Sequence, residues 1–394
     1  MADGVSTGIR LVVVSAFGTA TGGAELWLRS ILTHCEFDRV DLILLEDGEL
    51  GTVLAPLVQS IDVIPTGNSG PAIAAAASRV LPILRRLRPD VVVSNGVKAQ
   101  SVAVGPAQVL RIPTVWVKHD HSYDSSLARP LGRLSTSVVA ASAELAAATG
   151  RDDVHVLEPP WSLAPLGRAD AVAALAGHGY RPPTGPVVAC VSRLAPFKGV
   201  DVAIRSLAYR QSTRWHLAVL GGDDRSSPGE LTRLQDLAKV LGVAGRVQFL
   251  GPVPDAGRYL AAFDAVAVLT RPGQAGAPGQ EGYGTVAAEA MLAGVPVVYA
   301  GRGSVARRIE SGPGPAGLVV RPGDPRDTAG ALQILADDST WFRFAESARR
   351  VAEQQVDETE AAQAFARIVT EVGMPGPESG SGAGGRGTGG IVGS

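Results

Sequence analysis

Apolar runs of strand length alternate with segments of helical spacing along most of the chain. In the first half the strand-like runs fall at residues 10–16, 40–45, 61–64, 90–93, 114–117, 138–140 and 154–156. Helical segments lie between several of them, at 24–34, 72–87, 98–109 and 143–149. The second half has strands at 187–191, 216–220, 247–250, 265–269, 296–299 and 317–320. Its helices fall at 200–209, 230–241, 256–262, 285–293, 304–310, 325–336 and 339–354. Strand–helix alternation is the pattern of a parallel sheet covered on both faces. The chain is therefore expected to be α/β, with two doubly wound, Rossmann-like units. Each such sheet places its ligand beyond the carboxyl ends of its strands.

The alternation pauses at residues 158–186, where Pro159, Pro160, Pro165, Pro182, Pro183 and Pro186 gather. A domain boundary and hinge are expected there. This divides the chain into an N-terminal domain (1–165), a C-terminal domain (166–357), a last helical segment (358–372) and a tail (373–394). The tail is dominated by Gly and Ser and is expected to be disordered.

A length of 394 residues suits two domains and not one core. The composition, 45% hydrophobic and 19% charged, reads as soluble and globular. A formal net charge of -2 argues against nucleic-acid binding through a basic field. No apolar run approaches the roughly 18–20 residues needed to span a bilayer, and residues 1–8 lack the features of a signal peptide. The two cysteines, Cys35 and Cys190, give neither a disulfide framework nor a zinc spacing. The expected location is the cytoplasm, with a peripheral role at the inner membrane face left open.

Four segments carry candidate chemistry. Gly22 and Gly23, in Thr21-Gly22-Gly23-Ala24-Glu25, join the first strand to the first helix; paired glycines permit close approach, and the helix end offers free N–H groups to an anion. The alternative is a tight turn, with Glu25 favourable in the first helical turn. Arg193 and Lys198 sit on the loop after strand 187–191, where two cations can converge on one anion. Glu281 lies on a Gly-rich loop, Gly282-Tyr283-Gly284, that opens into a helix at Thr285 and Val286. Glu289 follows about one turn into that helix among Ala287, Ala288, Ala290 and Met291, where an unpaired carboxylate is costly and a ligand or partner is expected. Finally, His119-Asp120-His121-Ser122-Tyr123-Asp124 follows strand 114–117. Extended alternation would put His119 and His121 on one side and suggest a metal. No remote third ligand is evident, so the readings kept are a sugar-contacting His119 or a structural polar loop.

These segments, in this order, resemble glycosyltransferase family 4, a retaining family with the GT-B fold of two Rossmann-like domains facing across a cleft. "VSRLAPFKGVDVAIRSLA" is similar to that family's phosphate loop and "EGYGTVAAEAMLAGVPVV" to its paired-glutamate motif. "TGGAELWLRSIL", "LRRLRPDVVVSNG" and "TVWVKHD" resemble its N-domain segments, while "RVQFLGPV" and "GLVVRPGDP" match its C-domain scaffold. The resemblance implies a nucleotide-diphosphate sugar as donor, UDP- or GDP-linked, with no cofactor and no metal. Arg193 and Lys198 would stabilise the diphosphate, Gly22 and Gly23 would face it across the cleft, and Gly282, Tyr283, Gly284, Thr285 and Val286 would form its loop. Glu289 would hold the ribose, Glu281 the transferred sugar, and His119 would lie near the reacting carbon. The segment from Phe249 to Val253 would line the base pocket, and the final helix would cross back to the N-domain.

The chain also departs from the pattern. Residues 271–279 form a long Gly/Pro-rich stretch, the hinge reads Glu158-Pro159-Pro160-Trp161, and Ala306 stands where a glutamate is common. A sugar-nucleotide epimerase, a non-catalytic sugar-nucleotide sensor and a metal-dependent hydrolase built on "HDHSYD" are the competing readings. The acceptor and the oligomeric state are not readable. Arg79, Arg85, Arg86 and Arg88 could meet an anionic lipid, although basic residues at a helix C-terminus are ordinary dipole partners.

Overall fold

The computed structural model describes residues 8–20, 22–160, 164–224, 227–272, 279–311, 314–354 and 357–374. Thr21, Trp161, most of the 271–279 stretch, the first seven residues and the tail from 375 onward lie outside the described residues.

The first sheet contains β1 (Arg10–Ser15), β2 (Arg39–Leu44), β3 (Ser60–Val63), β4 (Val91–Asn95), β5 (Thr114–Lys118), β6 (Ser137–Ala140) and β7 (His155–Val156). The second contains β8 (Val187–Val191), β9 (His216–Leu220), β10 (Val247–Gly251), β11 (Ala265–Val268), β12 (Val297–Ala300) and β13 (Gly317–Val320). All pairings are parallel. Their orders are β3-β2-β1-β4-β5-β6-β7 and β10-β9-β8-β11-β12-β13. Strand order reverses between β1 and β4 and again between β8 and β11, so each sheet has one crevice where the connections part to opposite faces.

Helices cover both faces of each sheet, because the central strands are apolar on both sides. Val13, Leu42 and Val93 face one cluster of the first sheet, and Val12, Ile43 and Val92 face the other. Each such side chain contributes about 1.5–3 kcal/mol by leaving water. The last helix, Glu358–Gly373, packs on the first half: Ala362, Phe365 and Val369 join the cluster of Trp27, Leu28 and Ile31. Its start is held by Ser30 Oγ, which donates to Glu358 at 2.9 Å.

Three helices escape the pattern reading: Glu49–Leu54, Ala128–Leu134 and Arg168–Ala176. The third falls inside the Pro-rich pause. Its Ala171 and Leu175, four residues apart, form a narrow stripe that packs with Leu260 and Phe263 of the second half. The segment Ala256–Ala262, expected as an ordinary helix, winds as a 3₁₀ helix after Asp255, whose φ is 48°.

Candidate active site

The two crevices face one another, and the candidate residues of the second half surround the one between β8 and β11. Pro196–Lys198 forms a single 3₁₀ turn beyond β8. Gly199 follows with φ +73°, pressed so close to β11 that a Cβ there would lie 2.2 Å from the Leu269 carbonyl oxygen. The turn is tied down from the β11 side: Arg271 donates its backbone N–H to the Phe197 carbonyl at 2.8 Å and its guanidinium to Asp201 at 2.9 Å. This bracing aims Lys198 at Glu281, with Nζ donating to Oε1 at 2.7 Å. The Thr270 hydroxyl donates to the same oxygen. Burial alone would push the Glu281 carboxyl up, but Lys198, Thr270 and the charge of Arg193 hold it below its ordinary value. Glu281 is therefore ionised at neutral pH. Arg193 is paired with the buried Asp224 and keeps 57% of its side chain exposed. A pocket lined by Val191, Ser192, Lys198, Thr270, Glu281 and Gly284 opens between these groups.

The helix Thr285–Leu292 starts at this pocket. Gly284 is its N-cap with φ +77°, and a Cβ there would come within 2.8 Å of Val305, so conformation and space both call for glycine. Facing it is the first helix of the other half, Gly23–His34. A Cβ on Gly23 would lie 3.0 Å from Thr285 Oγ1. Two helix N-termini thus meet, each with unpaired N–H groups and a positive dipole end. Glu289, farther along the helix, packs against Gly257, whose missing side chain makes room for its carboxyl. Burial pushes Glu289 up to about 7, and the charge of Asp255 adds to the effect. Among the described residues no hydrogen bond or ion pair reaches it.

On the opposing wall, Asn95 ends β4 and His119 follows β5 directly. Asn95 Nδ2 donates to the Ala24 carbonyl at 3.3 Å, which leaves Oδ1 toward His119 Nε2 at 2.5 Å. That arrangement requires the Nε2–H tautomer and leaves Nδ1 as an acceptor, an assignment made from the network. The ring lies edge-on to Trp27 at 5.1 Å. Burial lowers His119 to about 4 against the opposing charge of Asp120, with Lys118 adding a smaller push downward, so it is neutral at physiological pH.

His121 does not share that side. The extended alternation stops with β5, and the chain turns through Tyr123 at φ 57°. His121 Nδ1 meets Asp124 at 2.7 Å and its Nε2 meets the Gln280 amide at 3.0 Å. Buried Lys118 ties the loop from within, reaching the Asp120 carbonyl at 2.7 Å and Asp124 at 2.5 Å. Among the described residues no group of three or more His, Cys, Asp or Glu could hold a metal ion.

The remaining candidates occupy varied positions. Gly282 is where the halves touch: a Cβ there would lie 2.1 Å from the His119 carbonyl oxygen. Tyr283 buries its ring with Ala140, Ala141 and Leu145 of the first half, under the Arg308 guanidinium at 4.1 Å. Val286 is partly buried beside the pocket and Val253 is in the core below it. Gly22 has ordinary φ; its lack of a side chain leaves room for Glu25, whose Oε2 would lie 2.0 Å from a Cβ. The reading from sequence did not single out Thr270, Asp224, Asn95 or Trp27. Asn95 and Thr270 lie at or just beyond the carboxyl ends of β4 and β11, so the rule that placed Lys198 would have found both.

Sequence comparison finds similarity over the half of the chain that carries Lys198, Glu281 and Glu289. Residues 185–338 match the family model described as Glycosyl transferases group 1. The chain is 34% identical over 192 residues to the D-inositol 3-phosphate glycosyltransferase of Acidothermus cellulolyticus, a match covering 47% of this chain and 41% of that protein. The enzyme of the same name from Nocardia farcinica is 34% identical over 197 residues, covering 49% and 42%. The matches span less than half the length of these curated relatives. Among solved structures, HepE of Anabaena in complex with UDP and glucose superposes with a TM-score of 0.76 at 24% identity, covering 92% of this chain and 99% of that one. The sucrose-phosphate synthase of Thermosynechococcus elongatus gives 0.73 at 17%, covering 93% and 100%. The fold is GT-B.

Proposed function

We propose that the protein is a retaining glycosyltransferase that moves a hexosyl-type sugar from a UDP- or GDP-sugar to a hydroxyl acceptor. The observation that carries this reading is the meeting of two helix N-termini, at Gly23 and Gly284, above the Lys198–Glu281 pair. Such a site collects positive potential where a diphosphate would sit. Arg193 and Lys198 take the growing charge of the leaving diphosphate. Glu289, half-buried and without a side-chain partner among the described residues, accepts the ribose hydroxyls. Glu281, fixed by Lys198 and Thr270, orients the transferred sugar. Neutral His119 offers Nδ1 to a sugar hydroxyl near the reacting carbon. The departing phosphate oxygen takes the acceptor proton on the same face, and this retains configuration. The site of HepE, which binds UDP and glucose, supports a nucleotide-sugar donor; relatives named for D-inositol 3-phosphate make a phosphorylated polyol the first acceptor to try.

Residues 1–165 would bind that acceptor and residues 166–357 the donor, with 358–372 joining them. Among the described residues no helix is long and apolar enough to cross a membrane, and a cytoplasmic location, with contact at the inner membrane face left open, completes the reading. The deciding experiment is a thermal-shift screen of UDP-, GDP-, ADP- and dTDP-sugars, followed by transfer assays with and without EDTA. Stabilisation by one nucleotide class and EDTA-resistant transfer are expected. Loss with EDTA and recovery with one divalent ion would overturn the metal-free reading, and a new sugar nucleotide formed without acceptor would indicate an epimerase.

A further inference from the structure

Glu25 has no part in the mechanism above, yet it is among the most buried carboxyls of the chain, with 4% of its surface exposed. It lies in the first turn of the helix Gly23–His34 and folds back over that helix's own N-terminus. Its carboxyl fills the space left open by Gly22 and accepts a hydrogen bond from its own backbone N–H. Among the described residues no side chain pairs with it. The charged groups that act on it come from both other walls of the cleft: Arg193 from the loop after β8 and Asp120 from the loop after β5. Glu25 therefore stands at the helix end where the donor's diphosphate is proposed to enter, beside one of the cations proposed to hold it.

A carboxylate there opposes a diphosphate, whereas a neutral carboxyl can donate a hydrogen bond to a phosphate oxygen. We infer that Glu25 is a donor-positioning residue that engages the diphosphate only in its protonated form, so that donor binding takes up a proton. This rests on the donor-site reading given above. Burial supplies the means: it pushes Glu25 up to about 7, more than its own N–H and Arg193 pull it down, and Asp120 pushes the same way. The neighbouring His119, lowered to about 4, stays neutral through this window. Glu289, also at about 7, changes charge in it. Its effect has the opposite sign, because it must be ionised to accept ribose hydroxyls.

Titration calorimetry with UDP-glucose and GDP-mannose tests this on the wild-type protein. Their diphosphates carry no group that titrates near neutrality, unlike free UDP. At pH 8, in buffers of different ionisation enthalpy, binding should take up close to one proton (roughly 0.9 for a group at about 7). Glu25→Gln keeps a neutral N–H donor, and comparing it with wild type cancels the contribution of Glu289. The variant's affinity relative to wild type should rise about fifteenfold between pH 7 and 8.5. No proton uptake by wild type, or a ratio independent of pH, overturns the inference while leaving the donor site intact. If no sugar nucleotide binds either protein, the donor-site reading itself fails. Should Glu25→Gln not fold, the wild-type proton count alone decides.

Discussion

Lys198 and Glu281 are 83 positions apart in the chain, and their side chains meet at 2.7 Å beneath the ends of two facing helices. The cation is thereby fixed before any ligand arrives, and Glu281 is held ionised in a buried place. Electrostatic stabilisation is strongest when such charges need no rearrangement as the reaction proceeds. Lys198→Ala should lower turnover by about 2–4 kcal/mol of transition-state stabilisation, the scale for one preorganised contact. Steady-state kinetics with the donor found by screening checks this. Turnover within a few-fold of wild type would remove Lys198 from the phosphate site.

The two glutamates have different surroundings, so they should fail differently. Glu289→Gln should weaken binding of the free nucleoside diphosphate, which carries the ribose. Glu281→Gln releases Lys198 from its partner, so nucleotide affinity should hold or rise slightly while transfer falls about a hundredfold. Calorimetry with the nucleotide, paired with a transfer assay, separates them. The opposite pattern, with Glu281→Gln abolishing nucleotide binding and Glu289→Gln sparing it, would reverse the roles.

Glu289 also makes stability depend on pH. Its value rises from the ordinary 4.5 to about 7 on folding. The folded chain therefore holds this proton more tightly than the unfolded chain between those limits. The stability contributed by the proton is complete below about 4.5 and declines as pH rises to about 7. Glu289→Gln removes the decline, so its Tm relative to wild type should increase from pH 4 to pH 8, without ligand. A Tm difference that does not change with pH would show that Glu289 titrates normally.

His119 depends on Asn95 for its tautomer. Asn95→Ala deletes the acceptor at Nε2, and the loss of one such hydrogen bond costs about 1 kcal/mol. Turnover should fall by about tenfold or less with nucleotide affinity unaltered, and Asn95→Asp should restore part of it. Because His119 is neutral above pH 5, neither variant should shift a basic limb of the pH–rate profile. An equal loss of nucleotide affinity would mean that Asn95 supports the helix at Ala24 and not the ring.

Much of this arrangement is legible in the sequence, for a local reason. The strand–helix alternation that defines both sheets, the loops carrying Arg193, Lys198 and Glu281, and the helix carrying Glu289 are set by periodicity and by glycines whose demands are largely local: Gly284 needs its positive φ wherever the helix end is used. Helix Arg168–Ala176 is not legible, because one short apolar stripe among prolines has meaning only against Leu260 and Phe263. His119 and His121 looked equivalent by alternation, and only the turn at Tyr123 and the contact with Gln280 from the other half separate them. The same holds for partners distant in sequence. Gly282 is a loop glycine until the His119 carbonyl is placed against it, and Gly22 is one of a glycine pair until the carboxyl of Glu25 is seen to fill its space. Burial decides charge as well: Glu25, Glu281 and Glu289 share one side chain, yet Lys198 keeps only Glu281 low while the other two rise to about 7. Desolvation and pairing depend on what the rest of the chain brings near, and that is decided only when segments distant in sequence pack together.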